Sequence, residues 1–199
     1  MLLLINNSTD GNTLSFIRQL RHALKEQHIQ YIETNTVDEN IIKNKRKIKG
    51  IIISGSPMLL NKHTIDKYNY DIYYLLQINV PVLGICFGCQ LLTLLNGGTL
   101  YDRKQLFCDN VDINMSTHFL FNNMENKQLD FCFTTLPVAP KKTKIIKEIA
   151  WINIDGRERA IAFEFEKNKL FGILGHPELN KNNWIVYKNF NDFCSHKFL

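Results

Sequence analysis

The chain has 199 residues, 45% hydrophobic and 22% charged, with a formal net charge of +5, which suits one globular domain, 1–199, with a sizeable core. Its five cysteines, Cys86, Cys89, Cys108, Cys132 and Cys194, form an odd set without framework spacing, which argues against a secreted disulfide scaffold. The N-terminal apolar run is too short for a signal peptide and no later stretch approaches a membrane span, so a cytoplasmic protein with no membrane partner is expected.

In chain order, short apolar runs alternate with amphipathic ones. LLLI at 2–5 reads as a strand, Thr13 to Gln27 as a helix, IQYIE at 29–33 and GIIIS at 50–54 as strands. Between them, KNKRKIK at 43–49 is the densest basic stretch. No aromatic residues interleave with its charges as base stacking would need, so it reads as a solvated loop and no nucleic-acid partner is expected. A helical pattern from Thr64 to Ile78 leads to PVLGIC at 81–86. This alternation is the mark of β-α-β units, and runs such as Ile51-Ile52-Ile53 suit strands covered on both faces.

After Gly97-Gly98 the character turns β-rich: THFLF near 118, LDFCF near 129, KIIKEIAWINI from 144, AIAFEFE from 160 and LFGILG from 170, with a closing helix from about Asn183 to Ser195. PVAPKK at 137–142 is the best candidate for a mobile loop. The expected fold is therefore α/β: a single domain whose mostly parallel central sheet is flanked by helices, with antiparallel strands added in the second half.

The segment from Pro81 to Leu92 runs from a buried strand straight into a helix, with Gly84 and Gly88 two residues either side of Cys86. G-x-C-x-G is the thiol form of the nucleophile elbow, a sharp strand-to-helix turn that strains the nucleophile's backbone. The helix N-terminus favours thiolate over thiol, and the N–H of Phe87 is in position to be an oxyanion donor. Two plainer readings stand beside it: an ordinary buried cysteine, or a Cys86-x-x-Cys89 redox pair.

An acyl-transfer thiol needs a base, and the base needs an acceptor. Gly175-His176-Pro177-Glu178 follows a strand that would deliver His176 to the sheet edge of Cys86, with Glu178 able to curl back to the imidazole. The other histidines, His22, His28, His63, His118 and His196, lack such a setting and read mostly as surface residues. Ser54-Gly55-Ser56-Pro57, after the strand GIII, is a glycine turn able to aim N–H groups at a substrate carbonyl on Cys86.

Taken together and in this order, SGSP, GICFGCQLL followed by NGG, and GHPE resemble the class I (triad) glutamine amidotransferases over nearly the whole chain. The wording of the elbow is closest to the GMP synthetase type. The resemblance implies the flavodoxin-like fold of that family, with Cys86 as nucleophile, His176 as general base and acid and Glu178 orienting it. Gly55 and Phe87 would be oxyanion donors, and Gln90 would help hold the amino-acid end of the substrate. It implies glutamine as substrate, a glutamyl thioester on Cys86, and no metal or cofactor. Because the chain stops one helix after GHPE, the ammonia acceptor is expected to be a separate synthase subunit.

Two departures from the family pattern bear on the substrate. Where a Ser-His or His-Ser pair usually precedes Leu-Pro, this chain reads FCFTTLP at 131–137, and the aromatic residue common before His-Pro-Glu is Gly175, which implies a wider site. Two other functions share these residues: a γ-glutamyl hydrolase or peptidase, and a non-catalytic regulatory protein that keeps the triad.

Overall fold

The computed structural model describes residues 1–7, 15–35, 41, 45–58, 60, 78–139, 146–165 and 169–196. The first half runs β1 (Leu2–Ile5), α1 (Ser15–Glu26), β2 (Tyr31–Thr34), β3 (Gly50–Ile53), β4 (Val82–Ile85) and α2 (Phe87–Leu95). The second runs β5 (Thr99–Asp112), β6 (Asn114–Met115), β7 (Gln128–Val138), β8 (Ile146–Ile154), β9 (Arg157–Phe165), β10 (Leu170–Ile173) and α3 (Ile185–His196).

Among the described residues, eight strands form one sheet in the order β2-β1-β3-β4-β10-β9-β8-β6. The first five are parallel, and β9, β8 and β6 continue the sheet antiparallel. The remaining pair, β5 and β7, is a separate antiparallel ribbon. The expected α/β architecture is thus the observed one, with the added strands both extending the sheet and flanking it.

Each residue of β1, β3, β4 and β10 is buried. With helices on both faces no side of such a strand is polar, so its sequence is continuously apolar. Successive side chains alternate between the faces. Leu2 and Leu4 join the cluster of Leu20 and Leu24 from α1 and Val186 and Phe190 from α3, whereas Leu3 and Ile5 join Phe87, Leu91 and Leu92 of α2.

Several local expectations change. THFLF holds a 3-10 turn at Phe119–Phe121 rather than a strand, because the His118 ring accepts a hydrogen bond from the Leu120 N–H and turns the chain. His118 is buried, 8% exposed, among Phe119, Phe121 and Phe171, not on the surface. Its ionisation is pushed down by burial, with Glu164 opposing. The segment Thr99–Asp112, without an apolar alternation, is the longest described strand, mostly exposed and held by ribbon pairing. Pro137 and Val138 end β7 rather than a loop, and 140–142 lie outside the described residues, as do His63 and nearly all of the helix expected at 64–78. The basic stretch is an exposed 3-10 turn at Lys45–Lys47 leading into β3, as expected of a solvated loop.

Candidate active site

Because β3, β4 and β10 are adjacent and parallel, their carboxyl ends open on one edge, where ligands bind in sheets of this kind. Gly55 follows β3, Cys86 follows β4 and His176 follows β10. A Cβ built on Gly55 would lie 3.3 Å from His176 Cε1 and 3.6 Å from Cys86 Cβ, so the three residues converge.

The elbow has the geometry its glycines require. Cys86 sits at φ 48°, ψ −102°, immediately before α2, a backbone conformation unfavourable for a residue with a side chain. It is pinned from both sides: its N–H donates to Ile173 O at 2.8 Å and its carbonyl accepts from Gln90 N at 3.0 Å. A Cβ at Gly84 would come within 2.5 Å of the Gly88 carbonyl, and one at Gly88 within 2.5 Å of Ile53 O. Only glycine lets the strand, the turn and the neighbouring strand approach this closely.

The histidine is held on every side. Pro177 opens a 3-10 turn at Pro177–Leu179 that brings Glu178 back under the ring, with Nδ1 and Oε1 2.8 Å apart. Tyr187 of α3 donates its hydroxyl to Glu178 Oε2 at 2.8 Å, and Trp184 Nε1 donates to Glu178 O at 3.0 Å. The His176 N–H donates to Asp130 O at 2.7 Å. Phe16 of α1 lies flat on the imidazole, centroids 4.2 Å apart and 16° between planes. With Nδ1 carrying its hydrogen to the carboxylate, Nε2 is the atom left for chemistry; it is buried and makes no hydrogen bond with a described residue.

Burial alone would push the charged imidazole down, but the Cys86 sulfur and then the Glu178 carboxylate outweigh it and raise His176 to about 10. Both charges favour the protonated ring.

Around these residues lies a cavity of about 230 Å³, lined among others by Cys86, His176, Gln90, Leu106, Thr134 and Thr135. It is smaller than the ~300–1,000 Å³ of drug-sized ligand sites, a scale suited to an amino acid. Gln90 Nε2 donates to Thr135 O at 2.9 Å and Thr135 Oγ1 at 2.8 Å, so its amide nitrogen is committed to the β7 segment of the wall. Phe87 is fully buried as the first residue of α2. Gly175 opens no extra room, since a Cβ there would meet Leu129 and Phe131 at 3.1 Å.

Cys89, the other half of the possible redox pair, is fully buried on α2 and packed against Gly172. Burial, then the neighbouring Cys86, pushes its thiol well up. Cys108 and Cys132, directly paired across β5 and β7, are joined by a disulfide. Cys132 O lies 3.8 Å from the Cys86 sulfur.

Phe16, Tyr187, Trp184 and Asn7 carry no motif in the sequence. Asn7 holds the glycine turn by donating its N–H to Ser54 Oγ at 3.0 Å and its Nδ2 to Ser54 O at 3.1 Å. Only the adjacency of β1 and β3 brings it there. Among the described residues no cluster of three His, Cys, Asp or Glu side chains could hold a metal, and no helix is long and apolar enough to cross a membrane.

A family profile described as glutamine amidotransferase class-I matches residues 4–193. One subunit of the glutamine-hydrolysing GMP synthase of Methanococcus vannielii is 25% identical over all of this chain and 99% of its own length. The glutamine-hydrolysing GMP synthase of Debaryomyces hansenii is 28% identical over 91% of this chain, which spans only 34% of that protein. The PurLQS structure from Thermotoga maritima superposes with a TM-score of 0.68, covering 96% of this chain and 97% of that one, at 17% identity, a likeness of fold alone.

Proposed function

The chain belongs to the class-I glutamine amidotransferase family, and on that footing we propose that it is a glutaminase that works through Cys86, His176 and Glu178. The observation that carries this reading is their convergence at one sheet edge. A strained cysteine opens a helix beside a histidine whose Nδ1 is 2.8 Å from a buried carboxylate.

In this reading the Cys86 sulfur attacks the side-chain carbonyl carbon of glutamine, and the oxygen of the tetrahedral intermediate is met by N–H groups of Gly55 and Phe87. His176, protonated beforehand, gives its proton to the departing nitrogen, the C–N bond breaks, and ammonia leaves behind a glutamyl thioester. The now neutral Nε2 takes a proton from water, which attacks the thioester; the C–S bond breaks and glutamate leaves. Glu178 keeps the ring's tautomer and plane throughout. Gln90 acts on the substrate through the wall it holds at Thr135.

The ammonia goes to a separate synthase subunit. Support comes from a relative that is named as one subunit of a synthase and is matched over 99% of its own length.

The test is ammonia release from glutamine and from a γ-glutamyl peptide by the wild type and Cys86→Ala. Glutamine turnover that Cys86→Ala abolishes supports the proposal. Turnover of the peptide with none of glutamine would make the chain a γ-glutamyl hydrolase. No turnover of either, with or without the synthase partner added, would make it a non-catalytic relative.

A further inference from the structure

Away from the Cys86 edge, the ribbon and the β8–β9 turn enclose a cavity of about 270 Å³ lined by Tyr101, Arg103, Gln105, Asp155, Arg157 and Arg159, with apolar Leu136 and Ile154. Among the described lining residues, three arginines stand with one carboxylate, Asp155. We propose that this cavity is a binding site for a small phosphate-bearing anion.

The choice of cation is the first argument. The chain is rich in lysine, yet it has six arginines in all, Arg18, Arg21, Arg46, Arg103, Arg157 and Arg159, and half of them line this one cavity. Arginine presents a planar fork that matches phosphate oxygens two at a time, which lysine cannot do.

The second argument is how the arginines are held. Arg103 is drawn inward, its side chain 13% exposed, with Nη2 donating to Asp155 Oδ2 at 3.0 Å and its guanidinium 5.0 Å from the Phe107 ring centroid. Its Nη1 is fully buried and has no hydrogen-bond partner among the described residues, and a buried donor without a partner is costly in the absence of a ligand. Arg159 lies over Tyr101, Cζ 5.8 Å from the ring centroid. Neither Arg157 nor Arg159 makes an ion pair with a described residue. Of the nearest other acids, Asp102 Oδ1 accepts from Lys104 N and Glu148 Oε2 accepts from Trp151 Nε1 at 3.0 Å; Glu148 and Glu158 line the adjoining cavity, whose wall shares Tyr101, Leu136 and Arg159 with this one.

The third argument is the backbone that shapes the cavity. In the β5–β7 ribbon, residues 103–106 stand opposite Thr134 alone, and Lys104 adopts φ 62°. This bulge sends Arg103 and Gln105 into the arginine cavity while Leu106 lines the Cys86 cavity. A bulge of this kind re-aims side chains and terminates regular pairing. The enclosed volume and the exposed face of Tyr101 suit a small phosphate ester better than a strand of a partner protein.

The proposal is independent of the glutaminase reading and is tested by binding alone. Inorganic phosphate and phenyl phosphate are titrated into the intact chain and followed by amide NMR shifts. Saturable shifts confined to 101–107 and 154–159 are expected, weakened at least about tenfold by Arg159→Gln and by Arg103→Lys. Arg159→Gln, at the rim, should leave the melting temperature unchanged and so separates binding from folding. Phenyl phosphate should bind more tightly than phosphate in the wild type but not in Tyr101→Ala, which distinguishes an ester site from a free-phosphate site. Absence of saturable shifts, or shifts indifferent to the arginines, would overturn the proposal. So would binding of a polyglutamate peptide with neither phosphate bound, which would make the surface a docking face for an acidic chain.

Discussion

Tyr187 donates its hydroxyl to Glu178 Oε2 while Glu178 Oε1 faces the His176 ring, both at 2.8 Å, so the closing helix α3 holds the catalytic candidate at one remove. Tyr187 is itself fully buried, and burial followed by the Glu178 charge pushes its ionisation well up, keeping it a donor. Tyr187→Phe would leave one oxygen of a buried carboxylate unpaired. Chemical denaturation should show a loss of about 1.5–3 kcal/mol, and kcat should fall with little change in KM. Unchanged stability would mean that the hydroxyl is not engaged with Glu178.

Phe16 should matter to the histidine more than to the fold. Its ring covers one face of the imidazole, and aromatic pairs of this kind contribute about 0.5–1.5 kcal/mol beyond burial. Phe16→Ala should therefore slow glutamine hydrolysis by about two- to tenfold, while Phe16→Tyr restores most of it. Equal rates in Phe16→Ala and wild type would show that the stack does not position His176.

The protonation of His176 depends on Cys86. Since Cys86 and Glu178 raise it to about 10 against the opposing effect of burial, NMR titration should show a wild-type imidazolium persisting through neutral pH. In Cys86→Ala the ring should lose its proton at lower pH. The sign for stability follows: a raised histidine contributes fully below its unfolded value of about 6.5, and that contribution is lost as pH rises through about 10. An identical His176 titration in the two proteins would show that sulfur and imidazole do not interact.

The elbow glycines make a steric prediction. A Cβ at Gly84 or Gly88 meets backbone atoms at 2.5 Å, and backbone cannot move aside as a flexible side chain can. Gly84→Ala and Gly88→Ala should each cost about 1–3 kcal/mol or more. Gly156→Ala, with open space around it but a φ of 73°, should cost less and leave the Cys86 site intact, as thermal melts and activity would show.

The parallel half of the fold is legible in the sequence because its strands are buried on both faces, and a continuous run such as Ile51-Ile52-Ile53 fits little else. Cys86, His176 and Glu178 are legible for a related reason. The turns that carry them need glycine or proline at fixed offsets, and such residues stand out. Strand β5 is not legible, because its side chains are mostly exposed and its order comes from pairing with β7. Phe16, Tyr187 and Asn7 reach the site by tertiary packing, so ordinary core or loop residues at their positions announce nothing. His118 reads as a surface residue because its buried setting is made by Phe119, Phe121 and Phe171, two of them close to it in sequence and one far away.

The most direct measurement is labelling of the intact chain by a diazo-ketone analogue of glutamine, read by intact mass on the wild type and Cys86→Ala. One label per chain, absent from Cys86→Ala and slowed in His176→Ala, is the result the triad predicts. Failure to label a folded wild type, or a label that persists in Cys86→Ala, would contradict a glutamine site at Cys86.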